Sequence, residues 1–374
     1  MFLNQKFSKF ITNFNYNFER KKILKVLSNE FLEKSYNTIS NWKNYNPTPL
    51  TNLNKLSKNL DLKNIFYKDE SKRFGLKSFK ALGGAYAVEI ISKNKKDMIV
   101  STATAGNHGK SVAWGAKRLG LKCKIFISEF VSENRANEMK NLGAEVIRIK
   151  GNYEKSLEEC KKISRNNNWE IIQDVAWPGY ELVPKLTMAG YSIMVKEITK
   201  QTDKYITHVF LQAGVGGMAA GFIAGIAKYF EYIPKIIIVE PENANCVMKS
   251  IENGSLKIIN IEKQSIMGGM SCGEVSLVPW QILKNSVSSC ISVSDEFVSQ
   301  TIAMLAGKYF SEEKIIGGEC STPGITSLIS CCNNEDIKNQ LEINQSSNIL
   351  LIGCEGDADK DLYQKLLDNG KKLI

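Results

Sequence analysis

The chain has 374 residues, 43% of them hydrophobic and 24% charged, which suits a soluble globular protein with room for two domains and a sizeable core. Its formal net charge of +10 is spread along the chain without a basic stripe interleaved with aromatics, which argues against nucleic acid as a partner and leaves anionic small molecules as ligands. No stretch approaches the length of a membrane span, so no membrane partner is expected. The N-terminal MFLNQKFSKFITNFNYNFERKK lacks the uninterrupted apolar core of a signal sequence. Nine cysteines without a C-x-x-C pair, and only two histidines, weigh against a metal site and suit reduced thiols in a cytoplasmic protein.

After Asn46-Pro47-Thr48-Pro49-Leu50 the pattern is α/β. NIFYKDE (64–70) reads as a strand and SFKALGGAYAVEIISK (78–93) as a helix. DMIVSTATAGNHG (97–109) reads as a buried strand with a small polar turn, followed by the helix KSVAWGAKRLG (110–120). Strand, helix and strand follow at 123–129, 133–143 and 144–151. After a polar middle the alternation resumes: ITHVFLQ (206–212), a glycine loop running into a helix at 213–230, PKIIIVEPE (234–242) and a late strand in NILLIGCEGDAD (348–359). Strands alternating with helices imply parallel β-α-β units. The expected fold class is therefore α/β, with two lobes of parallel-rich sheet flanked by helices and a ligand cleft between them.

Four motifs carry chemistry. Lys80 follows Phe79 and precedes Gly83-Gly84 on an apolar helix. Read alone, such a lysine snorkels to solvent. Read with a phosphate loop, it is the amine that joins pyridoxal 5'-phosphate as a Schiff base. Burial beside Phe79 is then expected to lower its pKa and keep it neutral, and the glycine pair to bring the backbone close to the cofactor ring. Asn107 in TAGNHG offers an amide to the ring's phenolate oxygen, or caps a helix. His108 reads as a turn residue and His208 as structural.

Gly214, Gly216 and Gly217 open a helix after a strand, where free N–H groups suit a phosphate. Their G-x-G-x-x-A spacing also fits a dinucleotide fingerprint, with Glu240 placed as a ribose-binding acid, so an NAD-dependent dehydrogenase competes. Cys354 ends a strand where a small neutral group could meet the ring nitrogen; the alternative is a small buried hydrophobe.

In this order the four motifs resemble the fold type II pyridoxal-phosphate enzymes, the tryptophan synthase β-like group. KDESKRFGLKSFKALGGAYA, TAGNHGKSVAWGAKRLG, QDVAWPGYELVP, QAGVGGMAAG, IMGGMSCGE, GGECSTPGI and EGDAD narrow the resemblance to the diaminopropionate ammonia-lyases, over roughly residues 40 to 365. The resemblance implies Lys80 as the Schiff-base lysine, Asn107 at the ring oxygen, Gly214, Val215, Gly216, Gly217 and Met218 around the phosphate, and Cys354 at the ring nitrogen. It also implies Asp174 as an acidic residue near the substrate; in a closed cleft such a carboxyl is expected to have a raised pKa that would let it act as a base. Residues 1–85 with 191–374 are expected to form the large domain and 86–190 the small one, in a homodimer. The implied reaction is elimination of 2,3-diaminopropionate, an amino-acid substrate, to pyruvate and two ammonia. One departure stands out: relatives carry Asp just before the G-N-H-G turn, where this chain has Ala105. That removes a candidate base, points to a preference for the L isomer, and leaves an L-serine or L-threonine dehydratase as the alternative.

Overall fold

The structure is a computed structural model that describes residues 5–95 and 97–374; Met1–Asn4 of the N-terminal segment and Lys96 lie outside the described residues. Eleven strands build two sheets: β1 (Phe7–Thr12), β2 (Leu50–Asn52), β3 (Asn64–Asp69), β4 (Ile99–Ala103), β5 (Lys122–Ser128), β6 (Glu145–Ile149), β7 (Glu170–Ile171), β8 (His208–Gln212), β9 (Lys235–Pro241), β10 (Ser289–Val293) and β11 (Asn348–Gly353). Every residue of β8, β10 and β11 is buried, as strands of a parallel sheet covered on both faces must be.

The larger sheet has the order β1-β10-β9-β8-β11-β3-β2, parallel in its centre and closed at each edge by an antiparallel strand. The smaller sheet, β6-β5-β4-β7, is parallel throughout. In the large sheet the chain runs outward from β8 through β9 to β10, while β11 pairs on the other side of β8. The loops after β8 and β11 therefore leave a crevice at the carboxyl ends of the strands, where open α/β sheets take their ligands.

Two regions are more ordered than their polarity suggests. The N-terminal segment supplies edge strand β1 and the helices Arg20–Val26 and Asn29–Ser40. The polar middle holds the helices Tyr153–Asn166, Leu182–Tyr191 and Ile193–Gln201. The first and last of these three carry one apolar stripe among charges, which is enough for a helix packed on one side.

The helix Lys80–Ser92 is buried continuously from Ala81 to Val88. It lies between the helices Asn107–Leu119 and Leu182–Tyr191, and close approach on both sides depends on glycine. A Cβ on Gly83 would stand 2.5 Å from the Tyr191 ring, and one on Gly84 2.7 Å from Ser111 Oγ. The glycine pair is thus explained by helix packing; the expectation that it faces the cofactor ring is corrected.

A buried charge network fixes the chain ahead of this helix. Arg73 pairs with Glu70 at 2.8 Å and Glu197 at 2.7 Å, and Lys68 meets Glu197 at 2.6 Å. All four side chains are almost wholly buried, so removing one partner would strand a charge at a cost of about 3–5 kcal/mol.

Candidate active site

Lys80 reaches the crevice through a contorted approach. After Arg73 the backbone passes through left-handed conformations at Phe74 (φ 48°), Gly75 (φ 71°) and Lys77 (φ 60°). Non-glycine residues adopt this region rarely and at some cost. Arg73 anchors one end of the loop. The other end is tied to the exit of β11: Phe79 N–H donates to the Cys354 carbonyl at 3.1 Å, Gly356 N–H to the Lys77 carbonyl at 2.9 Å, and Lys77 pairs with Asp357 at 2.8 Å. Local propensity does not favour this path, and the ties at both ends hold it.

Lys80 Nζ sits 2.5 Å from Asp174 Oδ2, with the Phe79 and Tyr191 ring centroids 5.6 and 5.9 Å away. Burial works to lower the Lys80 pKa, but the Asp174 carboxylate outweighs it and the amine is held above its ordinary value. The expectation of a neutral amine is corrected: in this arrangement Lys80 is an ammonium. Asp174 is corrected as well. Burial opposes its ionisation, yet the Lys80 ammonium beside it holds it well below the usual carboxylate range. Because burial itself keeps His108 neutral at pH 7, Lys80 is the operative charge. Asp174 is therefore a counter-ion here rather than a base poised near neutral pH.

The bend at Ala105 and Gly106 runs straight into the first turn of the helix Asn107–Leu119, which Asn107 and His108 begin, so the turn is continuous with the helix rather than free before it. Asn107 Nδ2 donates to Glu355 Oε2 at 2.5 Å, which places it beside Cys354. His108 Nε2 donates to the Ile172 carbonyl at 2.8 Å. Since a carbonyl only accepts, this bond fixes the neutral tautomer and points the Nδ1 lone pair toward Asp174 Oδ2, 3.6 Å away. The turn lies on the small-sheet side of the cleft; Cys354 and Glu355 lie on the large-sheet side.

Gly214, Val215 and Gly216 leave β8, and Gly217 and Met218 begin the helix Gly217–Tyr229. Gly216 has φ 90°, which glycine takes without strain. A Cβ on Gly217 would meet nothing within 4 Å, and the helix start has no side-chain cap among the described residues. Open space in front of an uncapped first turn is what an anion needs. The loop also closes on the rest of the site. A Cβ on Gly214 would stand 3.0 Å from Cys272 Sγ, and Ser276, whose N–H donates to the Val215 carbonyl, accepts from Ala176 N–H beside Asp174.

The Cys354 thiol is buried, and burial first, then the Glu355 and Glu70 charges, hold its pKa well above the usual thiol value, so it stays neutral. The residues present fit pyridoxal phosphate. Two buried polar atoms around Lys80, Tyr191 Oη and His108 Nδ1, have no hydrogen-bond partner among the described residues, and the glycine helix start is open.

Glu240 does something different from what its spacing suggests. It is wholly buried, and its two oxygens accept the N–H groups of Val247 and Met248 at 2.8 Å each. Both oxygens are spent on the start of the helix Cys246–Asn253, so a ribose cannot be bound there and the dehydrogenase reading is withdrawn. His208 is structural: its ring nitrogens meet the Leu341 carbonyl and the Thr207 hydroxyl.

Several site residues escaped the sequence reading. Glu355 follows Cys354 directly and could have been singled out with it. His108 lies inside the turn that was singled out, but only the fold shows it buried against Asp174. Tyr153, whose hydroxyl accepts from Gln173 Nε2 at 2.8 Å beside Asp174, and Tyr191 carry no local signal.

Comparison with known proteins bears on the same residues. A family model described as pyridoxal-phosphate dependent enzyme matches residues 42–355. The diaminopropionate ammonia-lyase of Salmonella typhimurium is 35% identical over 362 residues, covering 88% of this chain and 89% of that protein. A crystal structure of the Escherichia coli diaminopropionate ammonia lyase, in complex with an aminoacrylate-PLP azomethine reaction intermediate, superposes with a TM-score of 0.88 at 32% identity over 98% of each chain. A biosynthetic L-threonine dehydratase of Staphylococcus epidermidis is more distant, 27% identical over 79% of this chain and 67% of that protein.

Proposed function

The chain belongs to the diaminopropionate ammonia-lyases within the pyridoxal-phosphate dependent enzymes, and from that premise we propose how its own residues divide the work. The reaction is the conversion of 2,3-diaminopropionate and water to pyruvate and two ammonia. When bound, pyridoxal phosphate supplies an aldehyde for a lysine amine and an electron-withdrawing ring that accepts the electrons of a breaking Cα–H bond.

The observation that carries the assignment is Lys80 Nζ at 2.5 Å from Asp174, a site joined through Ala176 and Ser276 to the uncapped glycine helix start. Lys80 would hold the cofactor through its amine, and the same amine, when free, would take the proton on its own side of Cα. Asp174 keeps the resulting ammonium in place. The loop and first-turn N–H groups from Gly214 to Met218 would hold the phosphate. The Asn107 amide would donate to the ring oxygen, and the neutral Cys354 thiol would serve the ring nitrogen without adding charge. Tyr191 and Phe79 flank the amine.

Ala105 cannot carry a proton. With a base on one side only, the enzyme favours the L isomer. Pyruvate release from L- and D-diaminopropionate, L-serine and L-threonine tests this; comparable turnover of both diaminopropionate isomers would sink it. Ala105 also favours a second reading as an L-serine or L-threonine dehydratase, which the same panel decides. A visible absorption band formed with pyridoxal phosphate and lost in Lys80→Ala is the expected signature, and a protein that stays colourless refutes the lysine assignment.

The proposal includes a division into a small domain, 86–190, and a large one, 1–85 with 191–374. It is supported by the four small-sheet strands falling inside the first range and the seven large-sheet strands outside it. It also includes a cytoplasmic homodimer. All nine cysteines are unpaired, which suits a reducing compartment, and no helix among the described residues is long and apolar enough to cross a membrane. The solution mass tests the dimer.

A further inference from the structure

The Ala105–His108 turn is gripped from the opposite side of the cleft by more than Asn107. Arg135, near the start of the helix Glu133–Asn141, sends its guanidinium three ways. Nη1 donates to the Ala105 carbonyl at 3.1 Å, Nη2 lies 3.4 Å from Glu319 Oε1, and Nε lies 3.3 Å from Asp359 Oδ2. The first contact is within the small-sheet side; the other two cross to the large-sheet side. Arg135 is one-quarter exposed, whereas Glu319 and Asp359 are 8% and 10% exposed, so the acceptors are well shielded from water.

Each large-side partner is rigidly mounted. Asp359 caps the helix Lys360–Lys371 through Oδ1, which accepts Leu362 N–H at 3.3 Å, leaving Oδ2 for Arg135 and for Ser132 Oγ at 3.2 Å. Asn134 Nδ2 donates to Asp361 alongside. Glu319 sits beside Gly318, whose N–H donates to the Glu355 carbonyl at 2.8 Å, and Cys320 N–H reaches Glu355 Oε1 at 3.2 Å. Glu355 is the residue that holds Asn107. Two ties thus run from the large-sheet side to one turn: Glu355 to the Asn107 amide, and Asp359 and Glu319, through Arg135, to the Ala105 carbonyl.

We infer that Arg135 is a positioning residue: one guanidinium sets the spacing between the two sides of the cleft at the turn that carries Asn107 and His108. Its fork reaches three acceptors in different directions, which a lysine ammonium on a flexible stem does not reproduce. The inference rests on the proposed function for its catalytic meaning. Whatever engages the Asn107 amide competes with Glu355, and of the two ties from this turn to the large-sheet side the Arg135 tie remains.

The test compares wild type with Arg135→Gln, Arg135→Lys and Asp359→Asn, the last on the opposite side of the cleft and still able to cap its helix. Hydrogen exchange read by mass spectrometry is the first measurement. In Arg135→Gln, peptides over 104–109 and over 359–363 exchange about 10-fold faster together, the scale of one hydrogen bond to a charged group. The peptide over β6, next to the Arg135 helix, stays unchanged. Asp359→Asn gives the same pattern, and the double variant is no worse than either single one, as members of one tie must behave. Pyridoxal phosphate dissociation and KM rise about 10-fold while kcat stays within a few-fold. Arg135→Lys recovers only part of this.

Faster exchange confined to 133–141, or additive effects in the double variant, would mean a local structural role and overturn the inference. Wild type that binds no pyridoxal phosphate would overturn the proposed function instead, and the exchange pattern would still decide the tie.

Discussion

Asp174→Asn is expected to make Lys80 a better nucleophile and a worse catalyst. Asp174 Oδ2 lies 2.5 Å from Lys80 Nζ, and its charge is what lifts the amine above the ordinary lysine value against its own burial. A neighbouring opposite charge at this range moves a pKa by about 1–3 units. Asparagine keeps the shape and removes the charge, so burial is left unopposed and the pKa falls below the usual lysine value of about 10.4. The neutral fraction of Lys80 at pH 7 then rises about 100-fold or more. The assay is the rate of Lys80 acylation by a trace reagent in cofactor-free protein from pH 6 to 11, read by mass spectrometry of the Lys80 peptide. The expected result is a midpoint displaced downward by about two units or more, faster capture of pyridoxal phosphate at pH 7, and loss of turnover because the counter-ion is gone. An unchanged or higher midpoint in Asp174→Asn would refute the claim that Asp174 sets the charge on Lys80.

Ala105→Asp restores a carboxylate before the Asn107 turn, and turnover of D-diaminopropionate rises about 100-fold, as for a gained general base, with the L isomer little changed; pyruvate assays on both isomers check it. Gly83→Ala drives a methyl to 2.5 Å from the Tyr191 ring and 2.6 Å from Thr187 Cγ2, and destabilises by about 1–3 kcal/mol in urea unfolding despite the better helix propensity of alanine. Glu240 and Glu319 are pushed up to about 8, the first by burial, the second by burial and then the Glu355 charge. Carboxyls raised above their unfolded value bind more protons folded than unfolded, so their contribution is full below pH about 4.5 and is lost as pH rises through about 8. Glu240→Gln removes its share of that slope and leaves the variant more stable than wild type at pH 9 relative to pH 6, measured by unfolding free energy at the two pH values.

Much of the fold is present in the order of residues. The continuous apolar runs of β8, β9 and β11 require burial on both faces and hence a parallel sheet under helices, and the glycine loop at 214–217 supplies, at Gly216, the positive φ of a tight entry into a helix whose first N–H groups are free. These are local demands that few conformations satisfy. Edge strand β1 was not legible because FSKFIT pairs on one side only, and its mixture of Phe with Lys and Ser meets no requirement until β10 is beside it. The glycine pair at 83 and 84 was visible, but its meaning depends on Tyr191 and Ser111, 108 and 27 residues away in the chain.

The protonation of the site was the least legible part. Sequence alone puts Lys80 beside Phe79 and so suggests a neutral amine, and the family resemblance puts Asp174 in a cleft and so suggests a raised carboxyl. The tertiary structure brings the two to 2.5 Å, and the result for both is the opposite. A pKa is set by which charges lie within a few ångströms, and that distance belongs to no segment of the chain. What the sequence by itself determined is which groups are available and in what order along the strands; which of them carry charge, and which, like Glu240, are spent on holding a helix, only the packing of distant segments decided.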